Sequence, residues 1–172
     1  MSKSYKPVLR TTTLSAAIAD AMSELAALGE EARELVDNAS EMSQGTQRIQ
    51  TFDETASALE NLVEPNIDGI GTFSDLDVEY TEQVHRSRKA SPSRAVRCGN
   101  ACAMLSAAHD RLDDLIANGG IDEWEGSNVR SAIGDESSPS RGEVFDAIGE
   151  LIGELAEIIS EAEGCEFPGM FG

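Results

Sequence analysis

The amino-acid sequence predicts an all-α fold, an antiparallel helix bundle of about four main helices with one long irregular crossover loop. Apolar residues form 40% of the 172-residue chain but aromatic residues only 5%, which favours packed helices over a strand-rich sandwich. Apolar side chains also recur at three- and four-residue steps in several stretches. A chain of this length buries one core without disulfides. We therefore predict a single helical domain over residues 1–172, with a flexible N-terminus at 1–10, the crossover loop at 65–90 and a C-terminal tail at 165–172.

The first predicted helix begins at the threonine cluster Thr11–Thr13, whose hydroxyls can cap free backbone amides, and runs to about Met42. Its buried face follows from apolar residues at helical spacing: Ile18, Met22, Leu25, Leu28, Ala32, Leu35, Val36 and Ala39. At 100° per residue, acidic residues occupy the opposite side. The acids proposed there as partner-binding residues are Asp20, Glu24, Glu31 and Glu34.

A second helix is predicted from Thr51, because Thr51-x-x-Glu54 fits the reciprocal capping box, and Pro65 ends it. Between residues 76 and 80 apolar side chains alternate as in a short strand, but an isolated strand has no visible partner. We therefore expect the segment after Pro65 to be an extended loop that crosses the bundle.

The third predicted helix begins where Ser91 precedes a proline, a capping side chain ahead of the first helical position. It ends at Asn118, which two glycines follow. Its inner face is formed mostly by small residues, among them Cys98 and Cys102, and small residues allow neighbouring helices to approach closely. The segment from Ile121 to Pro139 gives only a weak indication of a short helix.

The last predicted helix carries the clearest geometric pattern in the sequence. It begins with the capping box Ser140-x-x-Glu143 and runs to about Gly164. Six acidic residues lie within about 40° of one line along this helix, and no lysine or arginine interrupts them. We call these residues the acidic stripe: Glu143, Asp146, Glu150, Glu154, Glu157 and Glu161.

The acidic stripe predicts imitation of a nucleic acid backbone. Its neighbouring carboxylates are about 4.5 to 6 Å apart along the helix axis, and a strand of duplex DNA advances about 3.4 Å per phosphate. Like charges at i,i+4 destabilise a helix by a few tenths of a kcal/mol, so a helix made only to be soluble would ordinarily interleave lysines. A solvated outer face and adaptation to high salt are the alternatives, and three lysines against ten arginines favour the second of these.

One stretch of the chain is locally basic, although the formal net charge is −19. Acidic segments flank a stretch from Val84 to Asn100 that holds five basic residues and no acidic one. We call these residues the basic island: Arg86, Arg88, Lys89, Arg94 and Arg97. Aromatic residues do not interleave them, which argues against direct binding of nucleic acid. We expect them to neutralise adjacent acidic helices or to bind a second copy of the chain, and in the second case the protein would form a homodimer.

Catalytic and metal-binding patterns are absent from the sequence. Cys98 and His109 are about 16 Å apart along a continuous helix, too far for one zinc ion, whose bonds are about 2.0 to 2.3 Å long. No glycine-rich phosphate loop or nucleophile elbow is found. We therefore predict a protein that is not an enzyme and has no metal or other cofactor. An odd number of cysteines indicates a reducing cytoplasm, and no apolar run is long enough to span a membrane.

Three stretches, "EARELVDNASEM", "FDETASALENLVE" and "SPSRAVRCGNACAMLSAAHDRL", resemble small acidic helical proteins encoded by tailed bacteriophages. The resemblance covers residues 20 to 117. It implies expression in the cytoplasm of a bacterial host and an action on host machinery, although this group has no uniform activity. The last helix lies outside the resemblance, so the acidic stripe depends on its own geometry.

Together these observations predict an acidic phage protein that mimics DNA charge and inhibits a host DNA-binding or defence protein. One alternative is a structural or adaptor protein of a virion or assembly complex, whose acidic surface serves only solubility. Another is a sponge for a small anionic molecule, held between subunits by Arg86, Arg88 and Arg94.

Overall fold

The fold combines helices with a two-stranded antiparallel sheet. The computed structural model describes residues 4–40, 43, 45–87, 90–118 and 141–168. Along the chain the elements are β1 (Tyr5–Thr13), α1 (Leu14–Asp37), α2 (Gln47–Glu60), a 3₁₀ segment (Asp68–Asp75), β2 (Asp77–His85), α3 (Arg94–Ala117) and α4 (Arg141–Glu163). The prediction of a purely all-α bundle is therefore wrong, since this is an α+β fold.

Strands β1 and β2 pair in a register that runs from Tyr5 opposite His85 to Thr13 opposite Asp77. Strand β1 occupies much of the segment that we expected to be a flexible N-terminus, and β2 lies inside the expected crossover loop. The alternating pattern at 76–80 was thus a true strand signal. Its partner was missed because β1 alternates poorly and is mostly exposed.

The edge of β2 that faces away from β1 is held by a side chain of α3. The Gln83 N–H donates to Oδ1 of Asn100 over 2.8 Å, and Nδ2 of Asn100 donates to the Gln83 carbonyl over 3.2 Å. Asn100 therefore supplies the two bonds that a neighbouring strand would make. On β1 the residue opposite Gln83 is Pro7, which has no N–H to donate.

The predicted helix starts are confirmed for α1 and displaced for two others. Thr13 caps α1 by accepting from the Ala16 N–H. For α2 the cap is Thr46, while Thr51 lies inside the helix and donates its hydroxyl to a main-chain carbonyl one turn earlier. For α3 the cap is Ser93 rather than Ser91. Ser140, the expected cap of the last helix, lies outside the described residues.

One main core joins α1, α3 and α4, with the 3₁₀ segment and β2 closing it. Its largest fully buried side chains include Leu14, Leu25, Leu105, Leu112, Ile148 and Leu155. A smaller cluster around Phe52 joins α1 to α2. The start of the predicted tail also docks, because Phe167 packs against both clusters and Thr55 donates to the Glu166 carbonyl over 2.9 Å.

Candidate interaction surface

The acidic stripe lies on the solvent side of α4. Its six residues are all exposed. The opposite side is buried against α3 and the 3₁₀ segment through apolar residues at helical spacing: Val144, Ile148, Leu151, Leu155, Ile158 and Ala162. The exposure of all six acids agrees with the single face on which residue spacing places them. Because one side is packed into the core, the stripe sits on a helix whose rotation is fixed.

The carboxylates of the stripe form no ion pairs in the described part of the chain at Asp146, Glu150, Glu154, Glu157 or Glu161. Glu154 nevertheless has a structural contact, because its Oε2 accepts the Asn66 N–H over 3.2 Å. Asp146, Glu150, Glu157 and Glu161 are exposed, and their carboxylates face solvent.

A cleft runs between α4 and the end of α2 beside the stripe. Glu154, Glu157 and Glu161 form one wall, and Leu62 and Val63 form part of the other. The cleft has a volume of about 250 Å³. Val63 is 78% exposed. The stripe thus borders an apolar surface as well as solvent.

The four acids of α1 divide into two kinds. Asp20 and Glu34 are exposed, as the sequence pattern predicts for a partner-binding face. Glu24 and Glu31 instead face α3, where arginines of the basic island reach them. These two carboxylates are not available to a partner in the way that we expected. Of the four acids proposed on α1, only Asp20 and Glu34 are therefore exposed to a partner.

The described arginines of the basic island bond to other groups of the same chain. Arg94 Nε donates to Glu31 over 2.8 Å, and Arg97 bonds to both Glu24 and Glu31. Arg86 donates to the Tyr5 carbonyl over 3.2 Å and so ties the end of β2 to β1. This geometry fits the predicted neutralisation of adjacent acidic helices. The two remaining members, Arg88 and Lys89, lie outside the described residues.

The ion pairs change how Glu31 titrates. Partial burial by itself would raise the pKa of this carboxyl, but hydrogen bonds from Arg97 and Arg94 outweigh burial and hold the pKa below its usual value. The charged form of Glu31 is thereby favoured in the folded protein.

A second arginine cluster was missed by the sequence reasoning. Arg33 of α1 donates to both carboxylate oxygens of Glu60, over 3.0 and 2.8 Å, and to Asp53 over 2.5 Å. Its third partner is the Ser57 hydroxyl. The hydrogen bond to Glu60 is the main cause of a raised Arg33 pKa. Arg33 is one of only two basic residues between positions 20 and 82. Such a lone arginine among many acids could have indicated an ion-pair cluster.

The cysteines and histidines do not form a metal site in the described ranges, where no three potential ligands come together. His109 lies 3.3 Å from Asp110 on the same helix. Cys98 and Cys102 are buried as free thiols, as small-residue packing predicts. Nor does any helix among the described residues combine the length and hydropathy of a bilayer-spanning segment.

The molecule is therefore an α+β protein that presents an acidic surface on one helix. Comparison of the chain with protein-family models, with curated proteins and with solved structures finds no match.

Proposed function

We propose that this chain is a non-enzymatic binding protein, the product of a phage, which presents the acidic stripe of α4 to the DNA-binding surface of a host protein. A defence nuclease or a repair enzyme in the bacterial cytoplasm is the kind of target that this function requires. The observation that carries the proposal is the contrast between two sets of acids. Those of α1 that face α3 are neutralised by arginines, whereas Asp146, Glu150, Glu157 and Glu161 of the stripe are exposed to solvent.

The physical basis is competition for a positively charged groove. DNA-binding proteins gain much of their affinity from lysines and arginines that replace counterions around phosphates. A rigid row of carboxylates offers such a groove a similar field, and it carries no sequence for the groove to read and no phosphodiester to cleave. Rigidity matters because flexible acids would lose conformational entropy on binding. The buried apolar side of α4 supplies that rigidity.

The experiment compares three versions of the protein as bait in a bacterial lysate. The stripe variant carries Asp146→Asn, Glu150→Gln and Glu157→Gln, and it spares Glu154 because of the hydrogen bond from Asn66. The control variant removes the same charge elsewhere, at three exposed acids of α1 and α3: Glu30→Gln, Asp113→Asn and Asp114→Asn. Each is tested at low and at high salt, and bound proteins are identified by mass spectrometry.

The wild type and the control variant should retain the same DNA-binding protein, and added duplex DNA should displace it. The stripe variant should bind it about tenfold more weakly, because three surface charge contacts contribute roughly 0.5 kcal/mol each. Higher salt should release the target. Equal retention by all three baits, or retention that neither salt nor DNA affects, contradicts mimicry and favours an adaptor with an acidic solubilising surface.

A further inference from the structure

The three cysteines of the chain come together at one cavity. Cys98 and Cys102 lie on α3, and Cys165 lies just beyond the end of α4. All three line a cavity of about 600 Å³ between these elements. Cys98 and Cys102 are 5% and 6% exposed and Cys165 is partly buried. They are free thiols, and the predicted function makes no use of them.

A single carbonyl oxygen shows how close the two chain segments are. The Ala162 carbonyl, in the last turn of α4, accepts a hydrogen bond from Cys98 Sγ over 3.4 Å. The same oxygen accepts the Cys165 N–H over 3.2 Å. The residue that follows α4 is therefore held against the thiol-bearing face of α3.

The two cysteines of α3 are poorly placed to bond to each other. Residues four apart on a helix have Cβ atoms about 5 to 6 Å apart, whereas a disulfide requires about 3.5 to 4.5 Å. A bond between Cys98 and Cys102 would therefore distort α3. Cys165 approaches from another element after a helix end, where the backbone can adjust.

We propose that Cys102 and Cys165 form a redox-sensitive pair that a hydroperoxide converts into a disulfide joining α3 to the end of α4. The Cys102 thiolate attacks one peroxide oxygen, the O–O bond breaks, and protonation of the leaving oxygen gives an alcohol, or water from hydrogen peroxide. The resulting sulfenic acid reacts with the Cys165 thiol, which forms the S–S bond and releases water. Two thiols are oxidised by two electrons and one hydroperoxide is reduced.

The environment of Cys102 suits the first step. The side-chain contact with Cys98 lowers the pKa of Cys102 and raises that of Cys98, and the thiolate is the reactive form of a cysteine. Burial raises the pKa of Cys165, so Cys102 is the thiol that reacts with the peroxide first. The bond would fix the segment that carries Phe167 and Glu166, which also contacts α2. Oxidation would thus lock together three helices, including the one that bears the acidic stripe.

The test treats the full-length folded protein with hydrogen peroxide at neutral pH, alkylates remaining thiols and digests with trypsin without a reductant. Trypsin cleaves after Arg97, Arg111 and Arg141, which places both α3 cysteines in peptide 98–111 and Cys165 in peptide 142–172. We expect the monomer to lose two hydrogen atoms and the two peptides to be joined. Fragmentation of the joined peptides then identifies the α3 cysteine, even if a variant fails to fold.

Three variants complete the test. Cys98→Ser should still give the joined peptides. Cys165→Ser should lose them and accumulate a sulfenic acid on Cys102 that dimedone traps, and Cys102→Ser should lose them without one. A disulfide within peptide 98–111, a bond from Cys165 to Cys98, a bond between two protein molecules, or thiols that stay unmodified would each overturn the proposal.

Discussion

Arg97 of α3 and Glu31 of α1 form an ion pair in which Nη1 and Oε1 are 2.5 Å apart. Arg97 also bonds to Glu24, and Glu31 is shared with Arg94. The network crosses the interface between two of the longest helices. These arginines neutralise Glu24 and Glu31, whose negative charges would otherwise oppose their partial burial between α1 and α3.

Replacing Arg97 should destabilise the protein. In Arg97→Met, Glu24 loses its ion-pair partner while both it and Glu31 remain about two thirds buried, with side chains 33% exposed. We expect a loss of about 1 to 2 kcal/mol in the free energy of unfolding, between the values typical of surface and buried pairs. Urea denaturation measures it. The control is Arg111→Met, an exposed arginine of the same helix, and equal losses in both variants would contradict the assigned role.

Glu31 should contribute a stability that depends on pH. Its pKa is lower in the folded protein than in the unfolded chain, where a glutamate titrates near about 4.3. Its contribution is therefore complete above that unfolded value and is lost as the pH falls through the folded pKa. The difference in unfolding free energy between wild type and Glu31→Gln should shrink as the pH falls from about 6 to about 3. The same comparison for the exposed Glu30→Gln should show little change, and a constant difference for Glu31→Gln argues against the ion-pair network.

Asn100 should stabilise β2 through its amide group. Asn100→Leu keeps the side-chain size but leaves the Gln83 N–H and carbonyl without these partners. We expect a destabilisation of about 1 to 3 kcal/mol, because two partly buried hydrogen bonds are lost and each contributes roughly 0.5 to 1.5 kcal/mol. The Gln83 amide should also exchange with solvent faster by NMR. Gln83→Ala is the control, because it keeps both main-chain groups, and protection of that amide in Asn100→Leu would refute this role.

Gly69 should be required by the close approach of the 3₁₀ segment to α4. A Cβ added at Gly69 would lie 2.8 Å from the Cβ of Ala147, closer than packed carbon atoms allow. Gly69→Ala should destabilise by about 1 to 3 kcal/mol through overpacking. Adding Ala147→Gly should recover part of that loss, although glycine within a helix itself costs about 1 kcal/mol. Thermal melts of the single and double variants measure the coupling, and strict additivity would mean that no clash occurs.

Repulsion along the acidic stripe should make stability depend on salt. Glu150→Lys replaces like charges at i,i+4 with attractive pairs to Asp146 and Glu154, and should raise the free energy of unfolding by about 0.5 to 1 kcal/mol at low salt. The gain should fade at 1 M salt, where the Debye length is about 3 Å. Ala156→Lys, exposed on the same helix away from the stripe, should gain less. Equal gains in the two variants would show that the net charge of the protein, and not the spacing of carboxylates along the acidic stripe, sets the effect.

Some of the candidate surface could be read directly from the sequence. The two sides of α4 follow from residue spacing alone, because 3.6 residues per turn fix which side chains share a face. The cap at Thr13 and the helix end at Asn118 are similarly local. At α2 the local signal misled, since Thr51 fits a capping box but its hydroxyl bonds back into the helix, while Thr46 takes the capping position.

The sequence by itself determined the approximate positions of the helices, which acids share one face of the last helix and the presence of a basic island, because each depends on neighbours within a few turns. Only the tertiary structure decided that Tyr5–Thr13 pairs with Asp77–His85, and that Arg94 and Arg97 bind acids of α1. These contacts join residues more than 60 positions apart. Their formation depends on how whole elements pack, and no local pattern of spacing encodes that packing.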